Sequence, residues 1–137
     1  MEENALGQPP FFFQFFFLNN KLKKKTIAFF SMIAQLVSEF IGTFFFLGVI
    51  IVAVQGISKN IVEKSHAYLR IGLALAVCII LVGSISGGHL NPAVSFMFFL
   101  HKELSMTDFI MYVIAQLLGA TCALLFFKYL YETSLTQ

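Results

Sequence analysis

The stretch Ser86-Gly87-Gly88-His89-Leu90-Asn91-Pro92 constrains this chain more than any other. It is a cluster of helix breakers, set between a long apolar run, Leu69–Ile85, and a short one, Ala93–Leu100. Eight residues make a helix of about 12 Å, less than half of a ~30 Å hydrocarbon layer. A loop followed by a half-length helix cannot face lipid, where its unpaired N–H and C=O groups would find no partners. The segment is therefore expected to fold back into protein and line a polar cavity.

A membrane is the expected solvent because 58% of the residues are hydrophobic and 12% charged. A soluble domain carries about twice that charge fraction. Three runs are long enough to cross: Ile27–Ile57, Leu69–Ile85 and Met106–Tyr129. The fold class expected is an all-α membrane protein, with three transmembrane helices and one reentrant half-helix. The spans are placed at about 28–57, 68–86 and 105–130, and the half-helix at 91–100. Residues 1–26, Phe-rich then Lys-rich, and 132–137 are expected to be tails, the first of them poorly ordered. Residues 27–131 form the folded unit, an integral, multi-pass protein whose first partner is the lipid bilayer.

Phe11–Leu18 is too short to span, and its lysines follow rather than precede it, which is the wrong order for a signal peptide. Lys21, Lys23, Lys24 and Lys25 abut the first span and read as an orientation signal, not a nucleic-acid surface. They place the N-terminus in the cytoplasm and, after three crossings, residue 137 outside. Cys78 and Cys122 lie in separate apolar runs and read as small packing residues. His66, His89 and His101 fall in three different segments, so neither a metal site nor a cofactor is expected. No nucleophile–base pair or phosphate loop points to an enzyme.

Within the breaker segment Asn91 is suited to cap a helix, and Pro92 to its first turn. The positive end of that half-helix then points at mid-membrane. The side-chain NH₂ of Asn91 can hold a passing water oxygen and disfavour a cation at the same point. The carbonyls of Gly87, Gly88 and His89 form an acceptor ladder leading to it. Glu39, a carboxylate inside an apolar run, reads as an acceptor for backbone N–H groups of this loop rather than as a proton relay. His89 reads as structural. Gly42, Gly72, Gly83 and Gly119 are expected to allow close helix packing.

Ser86-Gly87-Gly88-His89-Leu90-Asn91-Pro92-Ala93-Val94-Ser95-Phe96 resembles the first NPA loop of the aquaporin (major intrinsic protein) family, S-G-A-H-x-N-P-A-V-T. Glu39-Phe40-Ile41-Gly42-Thr43 is similar to the family's E-x-x-G-T. Tyr112 to Ala120 is similar to its Y-x-x-A-Q-x-x-G-A. The resemblance implies one repeat of the aquaporin fold, a channel component for water or small neutral solutes such as glycerol. It implies pore-lining roles for Gly87, Gly88, His89, Asn91, Pro92, Ala93 and Ile71, and a bracing role for Glu39 and Gln116. Ile71 falls where many water-selective members carry an aromatic constriction residue. Arg70 does not replace the family's selectivity arginine, which belongs to a second, inverted repeat. With a single Asn-Pro-Ala, the chain is expected to form half a pore, to be completed by a second half or by oligomerisation (tetramers in the family). The alternative is a truncated, non-conducting protein that associates with full-length channel subunits.

The orientation is testable by labelling. A Lys23→Cys variant should be unreachable by an impermeant maleimide added outside intact cells. Modification from outside would reverse the assignment.

Overall fold

The computed structural model describes the backbone of residues 11–133 and the side chains of residues 18–130. Among the described residues four helices follow one another: α1 Phe11–Ser58, α2 Lys64–Ser86, α3 Pro92–Leu100 and α4 Met106–Thr133. No strand occurs among the described residues. Three helices, α1, α2 and α4, are long and apolar enough to cross a bilayer.

The first helix differs from the expected span. Residues 1–10 of the expected tail lie outside the described residues, but from Phe11 the backbone is already helical. The reason is local: neither Pro nor Gly interrupts residues 11–41. Phenylalanine, leucine and lysine all tolerate helix. The other bounds differ from expectation by a few residues. The expected C-terminal tail falls outside the described residues from residue 134 onward.

Two compact units divide the chain, Met1–Ile33 and Ala34–Gln137. In the first, the described side chains from Leu18 to Phe30 are all exposed, lysines and large apolar residues alike. The Phe29 and Phe30 rings meet edge to face at 6.0 Å.

The second unit holds the rest of α1 with α2, α3 and α4. Its turns are made by local chemistry. After α1 the N–H groups of Ile61 and Val62 return to the Gly56 carbonyl. At the start of α4, Ser105 Oγ accepts from the Asp108 N–H at 3.1 Å and donates to Asp108 Oδ2 at 2.6 Å. That reciprocal cap satisfies an otherwise orphaned donor.

Large apolar residues face outward: Ile80 is 77% exposed, Leu69 70% and Leu81 68%. The buried positions are mostly small or polar, among them Ala53, Ala67, Ala115, Ala123, Ser95 and Gln116. Lipid tails are as apolar as leucine, so membrane helices gain by close approach of small residues instead. Gly119 is the clearest instance, since a Cβ there would stand 2.5 Å from the Phe40 carbonyl oxygen. Around it Phe44 packs against Phe126 and Phe127 at 5.8 and 5.6 Å. Gly72 departs from the packing expectation, because a Cβ there meets nothing within 4 Å.

Gly119→Ala should therefore destabilise the detergent-solubilised protein by ~1–3 kcal/mol, as overpacking against rigid backbone does. Gly72→Ala should be near neutral. Thermal melts followed by circular dichroism compare the two, and equal melting temperatures would deny the close approach.

Candidate functional site: a reentrant loop held by a buried carboxylate

Helix α2 stops where glycine allows it to. Gly87 takes a left-handed φ of 87° and donates its N–H to the Gly83 carbonyl, closing the last turn. Gly88 follows at φ 63° and Leu90 at 51°. Three left-handed residues in four reverse the chain, and α3 starts at Pro92. Asn91 caps α3 in extended conformation, its Oδ1 accepting from the Ala93 N–H at 2.8 Å.

The turn exposes backbone donors, and they converge on Glu39, which is fully buried. Glu39 Oε1 accepts from the His89 N–H at 2.9 Å and from the Ser86 hydroxyl at 2.7 Å. Oε2 accepts from the Leu90 N–H at 2.6 Å and from Gln116 Nε2 at 2.9 Å. An ionised carboxylate offers about four acceptor sites, and four donors fill them. Every partner is a donor, which is the arrangement suited to the charged form, and low dielectric strengthens each bond.

A second ring of contacts fixes those donors. Ser86 Oγ also accepts from the Gly88 N–H at 3.2 Å. Gln116 Nε2 donates on to Ser95 Oγ at 2.8 Å, and that oxygen lies 3.0 Å from His89 Nδ1. The His89 ring stacks on Phe98 at 4.4 Å and tilts against Tyr112 at 5.2 Å. Tyr112 donates its hydroxyl to the Ser86 carbonyl at 2.9 Å, which serves the buried end of α2. Leu90 fills the space beside Cys78 and Val82.

The predicted site residues thus fall into groups. Gly87, Asn91 and Ala93 are exposed, Pro92 is half-buried, and Gly88 and His89 are buried. Among the described residues, no hydrogen bond uses the carbonyl oxygens of Gly87, Gly88 or His89. Ile71 is half-buried on α2 and stands apart from the loop, fifteen residues before Ser86, or about 22 Å along the helix. Ser86, Ser95 and Tyr112 take part in the network although the sequence reading gave them no role. Tyr112 carried a usable signal: it precedes Gln116 by four residues and so shares its helix face. No cluster of three or more metal-binding side chains occurs among the described residues.

Comparison with known proteins decides the ancestry of this arrangement. The model of the family "Major intrinsic protein" matches residues 25–137. The chain belongs to the major intrinsic protein family. Its relatives include the aquaporin PIP1-2 of Zea mays, 37% identical over 91 residues, which cover 63% of this chain and 32% of the relative. The aquaporin PIP1-1 of Oryza sativa subsp. japonica is likewise 37% identical, over the same shares. The probable aquaporin PIP-type 7a of Pisum sativum is 39% identical over 92 residues, 63% of this chain and 32% of its own length. The chain spans about a third of the length of these curated relatives. Family and helices together make it an integral, multi-pass membrane protein.

The geometry predicts the order of two substitutions. Glu39→Ala leaves four donors facing a void, at ~1–3 kcal/mol for each buried group left unpaired, and the protein should lose its cooperative melt. Glu39→Gln keeps one accepting oxygen. Gln116 Oε1, buried without a partner, can turn to meet the new amide, so this variant should retain a melt at reduced temperature. Equal, near-zero shifts in both would mean that the carboxylate does not hold the loop.

Proposed function

We propose that these residues form one half of a transmembrane path for water or small neutral solutes, and that they act by passive conduction rather than as an enzyme. The observation that carries this reading is the cap on α3. Asn91 commits its Oδ1 to the Ala93 N–H, so its NH₂ group is left for the exposed side, at the positive end of the α3 dipole. A donor pair on a helix N-terminus receives a water oxygen and repels a cation. The unengaged carbonyls of Gly87, Gly88 and His89 supply acceptors leading to it, with Pro92 and Ala93 completing the wall. Ile71 contributes at a different level of the path, where an aliphatic side chain gives a less aromatic constriction. Glu39 and Gln116 act as the brace that keeps the loop in place.

One half-helix lines one side of a single-file path. The opposing side requires an oppositely directed half-helix, supplied by further polypeptide or by a partner chain. A parallel pair of these units would place both dipoles in the same leaflet and leave the other unlined.

Liposomes holding these 137 residues alone should therefore shrink in a stopped-flow osmotic test no faster than protein-free liposomes. Supplying a complementary half should raise the rate. Asn91→Asp should abolish that gain without loss of folding, because an aspartate still caps α3 but offers no NH₂. A fast rate from the isolated chain that Asn91→Asp removes would overturn the need for a second half. A rate unaffected by Asn91→Asp in the completed channel would overturn the role of Asn91.

A further inference from the structure

The lysines ahead of the first apolar run have no answering charge among the described residues. Lys21, Lys23, Lys24 and Lys25 are all exposed. From Asn4 to Ser38 the sequence contains no Asp or Glu. Among the described residues, no ion pair or side-chain hydrogen bond reaches these four lysines. Four ammonium groups within two helical turns repel one another, and external anions relieve that repulsion.

The helix also dictates where those anions lie. The cluster rises about 6 Å along α1 from Lys21 to Lys25, close to the thickness of one headgroup layer. Lys21, Lys24 and Lys25 share a face by helical spacing. Leu18 and Leu22, each 56% exposed, stand next to Lys21 and Lys25 by the same spacing. On the other flank Ile27 is 68% exposed and Phe30 64%. Charged tips bracketed by bare apolar side chains suit a boundary where phosphates lie beside acyl chains. A nucleic acid would leave those leucines and phenylalanines in water.

We propose that Lys21, Lys23, Lys24 and Lys25 form a binding site for the headgroups of anionic phospholipids in the leaflet that surrounds α1. The site gathers negatively charged lipid around the protein and gains with headgroup charge, so multiply phosphorylated headgroups bind more tightly than singly charged ones. It depends on membrane embedding and not on conduction, so it stands whether or not the chain forms a channel.

The test is native mass spectrometry of the full chain in detergent, titrated with phosphatidylcholine, phosphatidylserine or a phosphoinositide. Anionic adducts should form at concentrations at least tenfold below those needed for phosphatidylcholine, and should weaken as salt rises. A single Lys→Gln change should cost about fivefold and the fourfold variant nearly all of the preference. A Lys64→Gln/Lys102→Gln control should keep it. Because the four side chains are exposed, the variants should retain full helicity by circular dichroism. Equal binding of all three lipids, or an unchanged preference in the fourfold variant, would overturn the proposal. So would displacement by inorganic phosphate or duplex DNA at equal phosphate concentration, which would assign the cluster to soluble anions or to nucleic acid.

Discussion

The structure of the second unit depends on one carboxylate. A chain that breaks its helix inside a bilayer must find partners for every freed N–H, and water is not there to supply them. Glu39 concentrates that supply at a single point, taking two loop amides, one hydroxyl and one side-chain amide. Burying a charge is costly unless it is fully bonded. Here the charge and the loop resolve each other's deficit: the loop has donors without acceptors, the carboxylate the reverse. Helices α1, α2 and α4 are all drawn to the same spot because each carries one of the partners.

The rest of the packing follows from solvent. In water the large apolar side chains would form the interior. In lipid they gain nothing by leaving the surface, so interhelical space goes to alanine, glycine, serine and the polar network. The contact of Gly119 with the Phe40 backbone lies on the same helix pair that brings Gln116 to Glu39. Close approach and polar satisfaction therefore reinforce each other, since a long amide can bridge to a carboxylate only where the backbones are near.

Much of this was legible along the chain because the signals are local. Run lengths give the three spans, and Gly87, Gly88, Asn91 and Pro92 give the break and the restart. What could be read of the Glu39 site was its anomaly, a carboxylate in an apolar run, and its expected use as an acceptor for loop N–H groups. The individual donors could not be read from spacing, since they lie 47, 50, 51 and 77 residues away in sequence. Ser95 illustrates the limit: by sequence it is a small helical residue, yet it is fully buried and links Gln116 to His89. At the start of α1 a compositional oddity suggested a tail, whereas the backbone is helical from Phe11.

The sequence by itself determined the solvent, the number of crossings and the place where the chain must turn back. Those follow from hydropathy, length and backbone stereochemistry, which act over a few residues at a time. Only the tertiary structure decided which donors meet Glu39, which side of Asn91 is occupied and which glycines are contacts. Gly119 and Gly72 look alike in sequence, but only one faces a neighbouring backbone. Such choices are made by the relative placement of helices, and that placement is set by many weak contacts acting together, none of which has a signature of its own along the chain.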